Sequence, residues 1–504
     1  MSGHIIGVDI GTSGSRAVLC DEQGSILGVA TSSHRTVFSR PGWAEQDPMD
    51  VYHSVVKVIA EVVRLSNVRP RDVATIALSS VFHSLILLDA HGTPLTNCIV
   101  WLDTRSTPDA EEMFESARHL YLNTGCPANS SYPSSKLAWF RRTMPGLFSK
   151  IARVASIKDF VVHKLTGEYV VDECVAGGSG LLNVHKLQWD DAILDHLDVQ
   201  HAWLSPIVPV TTTLALCNDV RTELGLATTT KLVVGAGDGM LASVGSGASL
   251  EGALAIMMGT SGACRIMTAE PKLDNPNYQR TWSYPFGGGI WATGTSVNNC
   301  GSAHEWIIDT LFSEEKTVGR YMPGGIYDIL RTYMSSTEPG AQGLTFLPWL
   351  LSERGPYWHS DATGAFIGLK RQHSKPDMYR AVVEGIIYLV ATLVDIVEEV
   401  AGPAREVRAT GGLTNSEAWV TILASIMGRD VLLPEAREAV AFGACLLAMV
   451  AMHALPDIAA TRRLSRVSKI CKPSTSSTEA YRQGKEAFMC YYKQLKPLYT
   501  KGSH

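Results

Sequence analysis

The chain has 504 residues, of which 45% are apolar and 18% charged, with a formal net charge of −5. At roughly 100–200 residues per domain this predicts two to four domains with cores of their own. The charge balance gives no basic patch and no charged tail, which argues against a nucleic-acid partner. In chain order, the first hundred residues alternate turn signals with β-rich runs: IIGVDI, SRAVLC, ILGVATSS, VATIALSS, SLILLDA and NCIVWLD. A helix over Met49–Leu65 interrupts them after the third run. Residues 105–225 read as helical pieces joined by Pro/Gly loops, among them Ser134–Thr143 and Ile157–Thr166.

From residue 231 the strand grammar restarts. KLVVGAGDG is a buried strand running into a glycine turn, LAIMM-GTSG-ACRIM a hairpin, and GIWATGT a further strand. Pro376–Val400 carries apolar residues at Val382, Ile386, Leu389, Leu393, Ile396 and Val400, one helical stripe that Gly402-Pro403 stops. Then come the strand EVRAT, the turn GGLTNS, a helix over Glu417–Met427, the strand DVLLP, a helix over Ala439–Met452 and a final amphipathic helix. The Ala439–Met452 run, at 14 residues, is too short to span a bilayer, so no membrane partner is expected. The ten cysteines are dispersed, the nearest pair being 19 apart, which excludes zinc spacings and predicts reduced thiols. The strand-like Ile5-Ile6-Gly7-Val8 follows the N-terminus at once, so a signal peptide is not expected and the predicted location is cytoplasmic. Gly502-Ser503-His504 is set aside from the fold reasoning.

The tetrapeptide Gly-Thr-Ser-Gly occurs twice, at Gly11 and Gly259, each time between strand-like runs. Small residues at such turns expose backbone N–H groups that can cradle phosphate oxygens. Neither GxxxxGK[ST] nor GxGxxG is present, so a phosphate site needs another architecture. The repeat predicts two α/β domains, 1–245 and 246–504, facing each other across a cleft. Only the first copy is preceded by an aspartate, Asp9, which beside bound phosphates would hold Mg²⁺. Arg16 either reaches the same phosphates or forms a surface ion pair.

Eight segments in order resemble the FGGY carbohydrate kinases over nearly the whole chain. They are GVDIGTSGSRAVL, PGWAEQDP, LSSVFHSLILLD, IVWLDTRS, GAGDGM, MMGTSG, GAFIGLKRQHSKPDMYRAVVEGI and RATGGLTNSEAW. The resemblance implies the α/β actin-like ATPase (ribonuclease H-like) fold, with ATP and Mg²⁺ as cofactors. It implies that the first domain binds the sugar and the second most of the nucleotide. Asp238 would be the general base for the acceptor hydroxyl and, with Asp9, a metal ligand; the other reading is an aspartate capping the next helix. Gly11, Thr12, Ser13 and Arg16 would contact the phosphates from one side, Gly259 and Thr260 from the other. Gly301 and Glu305 match a helix start beside the nucleotide; Gly411, Gly412, Asn415 and Ser416 match the adenosine turn, or an ordinary strand-to-helix turn.

Trp43, Phe82, His83, Asp103 and Asp238 are the candidate sugar contacts. Ser-Ser-Val-Phe-His-Ser (residues 79–84) is similar to the pattern of the family's gluconate kinases, with Phe82 for Met, and differs from Gly-Gln-Met-His-Gly of xylulokinases. The expectation is phosphorylation of a sugar acid, D-gluconate to 6-phosphogluconate; the alternatives are a ketose or polyol kinase and, in another class, a non-kinase actin-like ATPase. Glu173-Cys174 departs from the family's usual aromatic-plus-small pair. A sugar carboxylate calls for cationic donors, with Lys158, Arg105 and Lys136 as candidates, although Asp103 and Arg105 could instead pair with each other. The resemblance also allows a homodimer.

Overall fold

Two sheets, built to one plan, organise the chain. In the first, β1 (His4–Ile10), β2 (Gly14–Cys20) and β3 (Ile26–Ser33) form an antiparallel meander. β4 (Val73–Ser80) joins β1 in parallel, β6 (Lys231–Gly237) joins β4 in parallel, and the short β5 (Thr213–Ala215) closes the edge, giving the order β5-β6-β4-β1-β2-β3. The second sheet repeats it. β7 (Ala253–Met258), β8 (Gly262–Thr268) and β9 (Ile290–Val297) are the meander strands. β10 (Glu406–Thr410) and β11 (Val431–Pro434) follow in parallel beyond β7, and β12 (Val467–Cys471) runs antiparallel outside them. Each sheet therefore contains the strand order 3-2-1-4-5; the first adds one antiparallel edge strand, β5, and the second adds two edge strands, β12 at one side and Trp282–Gly287 beyond β9 at the other, and the molecule has the actin-like ATPase fold. This computed structural model describes residues 3–351, 355–358 and 362–499, so Gly502-Ser503-His504 lies outside the described residues.

The units are not simple halves of the chain. Compact packing groups 1–251, 267–293 and 438–466 as one unit, and 252–266, 294–437 and 467–504 as the other. β1 shows how a late segment enters the first unit. Its Ile6, Val8 and Ile10 join a core with Val51, Val55, Ile59 and Val62 of the helix Pro48–Leu65. Alternation turns Gly7 to the opposite face, where the helix Ala439–Ala451 packs. A Cβ on Gly7 would lie 1.9 Å from the Ala441 carbonyl oxygen, so only glycine admits this helix. The same helix crosses Asp238–Gly245 at Gly245 and Gly443, where an added Cβ would again meet a carbonyl at 1.9 Å. Its nearly continuous apolar sequence is thus explained by burial, and among the described residues no helix is long and apolar enough to cross a membrane.

In the second unit the helix Lys375–Ala401 lies in the core cluster with β7, β8 and β10. Ser374 and Asp377 form a capping box at its start, and Gly402 ends it. The helices Pro133–Thr143 and Ile157–Thr166 occur where the sequence pattern puts them. Residues 267–293 are tied to the first unit through Tyr121, whose hydroxyl donates to Thr281 O at 2.9 Å, and through Ser283 N–H to Gly125 O at 2.9 Å.

Candidate active site

Because β1, β4 and β6 run parallel, their C-terminal ends emerge on one edge of the first sheet. Register pairs Asp9 with Ser79 and Ile10 with Ser80, and Gly237 with Ser80 from the other side. The chain therefore presents Asp9, the segment after Ser80 and Asp238 side by side. Burial first, and the Asp238 charge second, push the Asp9 carboxyl up to about 7. Its Oδ1 is buried without a hydrogen-bond partner. Two acids with an orphaned oxygen between strand ends fit a hard divalent cation, which prefers one or two carboxylates and completes its shell with phosphate and water. Among the described residues no group of three or more His, Cys, Asp or Glu side chains is placed to hold a metal ion. Asp238 is the first residue of the helix Asp238–Gly245, and its Oδ1 accepts the Gly239 N–H at 2.6 Å. It thus occupies a helix start and faces Asp9 at once.

The first Gly-Thr-Ser-Gly turn continues the β1–β2 register. Ile10 pairs with Ser15, and Gly11 N–H donates to Gly14 O at 3.0 Å, leaving Thr12-Ser13 at the tip. Side chains brace it. Thr12 O accepts from Gln46 Nε2 at 2.6 Å and Thr36 Oγ1 at 3.1 Å, and Thr12 Oγ1 accepts from Trp101 Nε1 at 2.9 Å. Arg16 pairs with Glu438, so of its two sequence readings the ion pair is the one formed here.

The second copy turns differently. Met258 pairs with Gly262 and Gly259 N–H donates to Ser261 O at 3.1 Å, leaving Thr260 alone at the tip. Backbone braces it: Gly301 N–H donates to Gly259 O at 2.8 Å and Ser302 N–H to Thr260 O at 2.9 Å, both from the start of the helix Gly301–Leu311. A Cβ on Gly301 would lie 2.6 Å from Gly259 O. Gly411, at φ +101°, approaches so closely that a Cβ would be 2.5 Å from Met258 O. Gly259, Thr260, Gly301 and Gly411 therefore converge. Gly412, Asn415 and Ser416 are exposed on the turn after Gly411, and Glu305 is exposed one turn into its helix.

Around the sugar candidates the geometry divides the list. Phe82 is wedged between two glycines, since a Cβ on Gly237 or Gly178 would lie 2.1 Å or 2.5 Å from its ring. Next to it, Cys174 Sγ accepts the Gly237 N–H at 3.4 Å, so the unusual Glu173-Cys174 pair contributes to the seat of Asp238. His83 has φ +66°, a conformation costing a non-glycine residue about 1–3 kcal/mol. Its Nδ1 lies 2.7 Å from Gly178 O, and its ring packs at 4.5 Å from Tyr132, whose hydroxyl meets that of Tyr284 at 2.5 Å. Trp43 is capped by Arg105 at 3.6 Å and Arg40 at 4.9 Å and is edge-on to Trp139.

Asp103 must be reassigned. It is fully buried, with one oxygen accepting from Ala44 N–H and Arg105, the other from Arg105 Nε and backbone N–H. Its carboxylate holds the Trp43 loop, so direct sugar contact is not its role. The proposed carboxylate donors are committed as well. Arg105 also pairs with Glu45 at 2.6 Å, buried Lys158 pairs with Asp172 at 2.6 Å, and Lys136 Nζ donates to His83 O at 2.6 Å and Val100 O at 3.0 Å. Sequence reasoning passed over Gln46 and Trp101 although both stand inside quoted motifs. Glu438, Tyr132 and Tyr284 carry no local signal, because their partners are remote in the chain.

Models of the FGGY family of carbohydrate kinases match the chain twice, the N-terminal domain over residues 4–245 and the C-terminal domain over 254–452. The chain is 31% identical to a gluconokinase of Bacillus licheniformis over 99% of its own length and 98% of that protein. The crystal structure of a gluconate kinase from Lactobacillus acidophilus superposes with a TM-score of 0.92 at 28% identity, covering 98% of this chain and 99% of that one. A ligand-bound xylulose kinase from the same organism gives 0.93 at 28% identity, covering 98% and 99%. Matches over this much of the sequence, on a duplicated 3-2-1-4-5 fold with an acid pair at its strand ends, show that the chain belongs to the FGGY family of carbohydrate kinases, phosphotransferases with an alcohol group as acceptor.

Proposed function

We propose that this kinase phosphorylates the terminal hydroxyl of a sugar acid, D-gluconate to 6-phosphogluconate, in the cytoplasm. The observation that carries the reading is Asp238 at the end of β6, beside the orphaned Asp9 oxygen. The gluconokinase relative and the Ser-Ser-Val-Phe-His-Ser segment support the sugar acid. Ten unpaired cysteines, eight of them buried, support a reducing location. Residues 1–245 would take the sugar and 246–504 the nucleotide, in line with the two family matches.

In this mechanism Asp238 accepts the proton of the acceptor hydroxyl as its oxygen bonds to the γ-phosphorus of ATP and the bond to the β–γ bridging oxygen breaks, releasing ADP. Asp9 and Asp238 would hold Mg²⁺, which offsets phosphate charge when bound. Backbone N–H groups at Thr12-Ser13 and around Gly259-Thr260 would receive phosphate oxygens, and the turn Gly411–Ser416 the adenosine. Phe82 and Cys174 keep Gly237, and hence Asp238, in place. The test is an ADP-coupled assay across sugar acids, ketoses and polyols. Turnover on gluconate sustains the reading. Turnover confined to ketoses replaces it with the xylulokinase reading, which the xylulose kinase neighbour supports.

A further inference from the structure

His83 adopts a left-handed backbone, and such a residue persists only where its surroundings over-determine it. Three contacts do so: Gly178 O at Nδ1, the Tyr132 ring, and the Lys136 ammonium on the His83 carbonyl. Tyr132 caps the helix Pro133–Thr143 and Lys136 lies in its first turn, so one helix start supplies two of the three. Lys136 Nζ also holds Val100 O, the carbonyl just before Trp101, and Trp101 in turn holds Thr12 of the phosphate turn. One buried cation thus ties the His83 segment to the strand-end loop that braces Thr12.

Neither hydrogen bond from Lys136 goes to a carboxylate; both go to main-chain carbonyls. Its side chain is fully buried, and burial pushes it down to about 7, with the Asp103 charge opposing. No carboxylate hydrogen-bonds this amine, and an apolar side chain of the same length would leave the His83 and Val100 carbonyls without their donor. Its placement is better explained by what it orients. We propose that Lys136 is a positioning residue for the acceptor sugar, clamping the His83 carbonyl so that the imidazole is held in its sugar-facing conformation. The proposal rests on the reading that His83 faces the sugar.

The test is a double-mutant cycle on the full-length enzyme with gluconate and ATP, using Lys136→Met, Lys136→Gln, His83→Ala and the paired variants. Lys136→Met should raise the sugar KM about tenfold or more while kcat and the ATP KM stay within about threefold. Lys136→Gln, which keeps a donor, should recover most of the loss. In the His83→Ala background, adding Lys136→Met should raise the sugar KM no further. If Lys136→Met does not fold, Lys136→Ala takes its place in the cycle. A full additional loss on top of His83→Ala, or an unchanged sugar KM in folded Lys136→Met or Lys136→Ala, overturns the clamp and leaves the sugar site standing. An unchanged sugar KM in His83→Ala overturns the reading of the sugar site and the clamp together.

Discussion

The two Gly-Thr-Ser-Gly turns share every letter and differ in shape. The first puts two residues at its tip and the second one, because the strand pairing beneath them differs by one step. What surrounds each turn decides the register. Side chains from Gln46, Thr36 and Trp101 grip the first, whereas helix-start N–H groups and the close approach of Gly411 grip the second. A repeated motif therefore fixes a location in the fold, and its partners fix the geometry. The acid follows the same division: Asp9 precedes the first turn and Met257 stands at the matching place in the second.

The sharpest test of this asymmetry is Asp238→Asn. It should lower kcat by about 10²–10⁴ while ATP affinity, read by titration, is nearly unchanged. Full sugar-dependent turnover in that variant would remove the acid pair from the chemistry. Next in size are Gly301→Ala and Gly411→Ala, which force a Cβ to 2.6 Å and 2.5 Å from backbone oxygens. Strain of about 1–3 kcal/mol should appear as a roughly 5- to 150-fold higher ATP KM with the sugar KM little moved. Equal effects on both substrates would blur the distinction between the turns. Trp101→Phe removes one donor to Thr12 and should cost about 1 kcal/mol, close to fivefold in kcat/KM.

The smallest effect tests the first unit's reliance on buried ionisable side chains. Burial foremost raises the Asp159 carboxyl from an ordinary 3.8 to about 7. With the folded pKa above the unfolded one, the stability this group contributes is complete below about pH 4 and is lost as pH climbs to about 7. The melting temperature of the parent relative to Asp159→Asn should therefore fall by about 2–4 °C across that window. A constant difference would show that the group is ionised in both states.

Much of the fold was legible because local chemistry dictates it. The capped helices Pro48–Leu65 and Lys375–Ala401, the paired hairpins and the glycine-flanked Asp238 all announce themselves by periodicity or turn residues. Gly301 and Gly411 were marked only by the family resemblance; the backbone approaches that require glycine there, to Gly259 and Met258, have no local signal. What escaped depends on distance along the chain. Nothing near Lys158 discloses that Asp172 neutralises it, and nothing near Arg16 points to Glu438. Asp103 read as a sugar contact because a carboxylate in a loop can serve either inward or outward, and only the fold turns it inward onto Arg105 and Ala44.

The glycine-lined seat of the helix Ala439–Ala451 against β1 sets an order on synthesis. β1 is made long before this helix, and the face around Gly7 stays uncovered until residue 451 has emerged. Without that helix the Gly7 face has no cover, so a fragment ending at 245 should aggregate instead of folding.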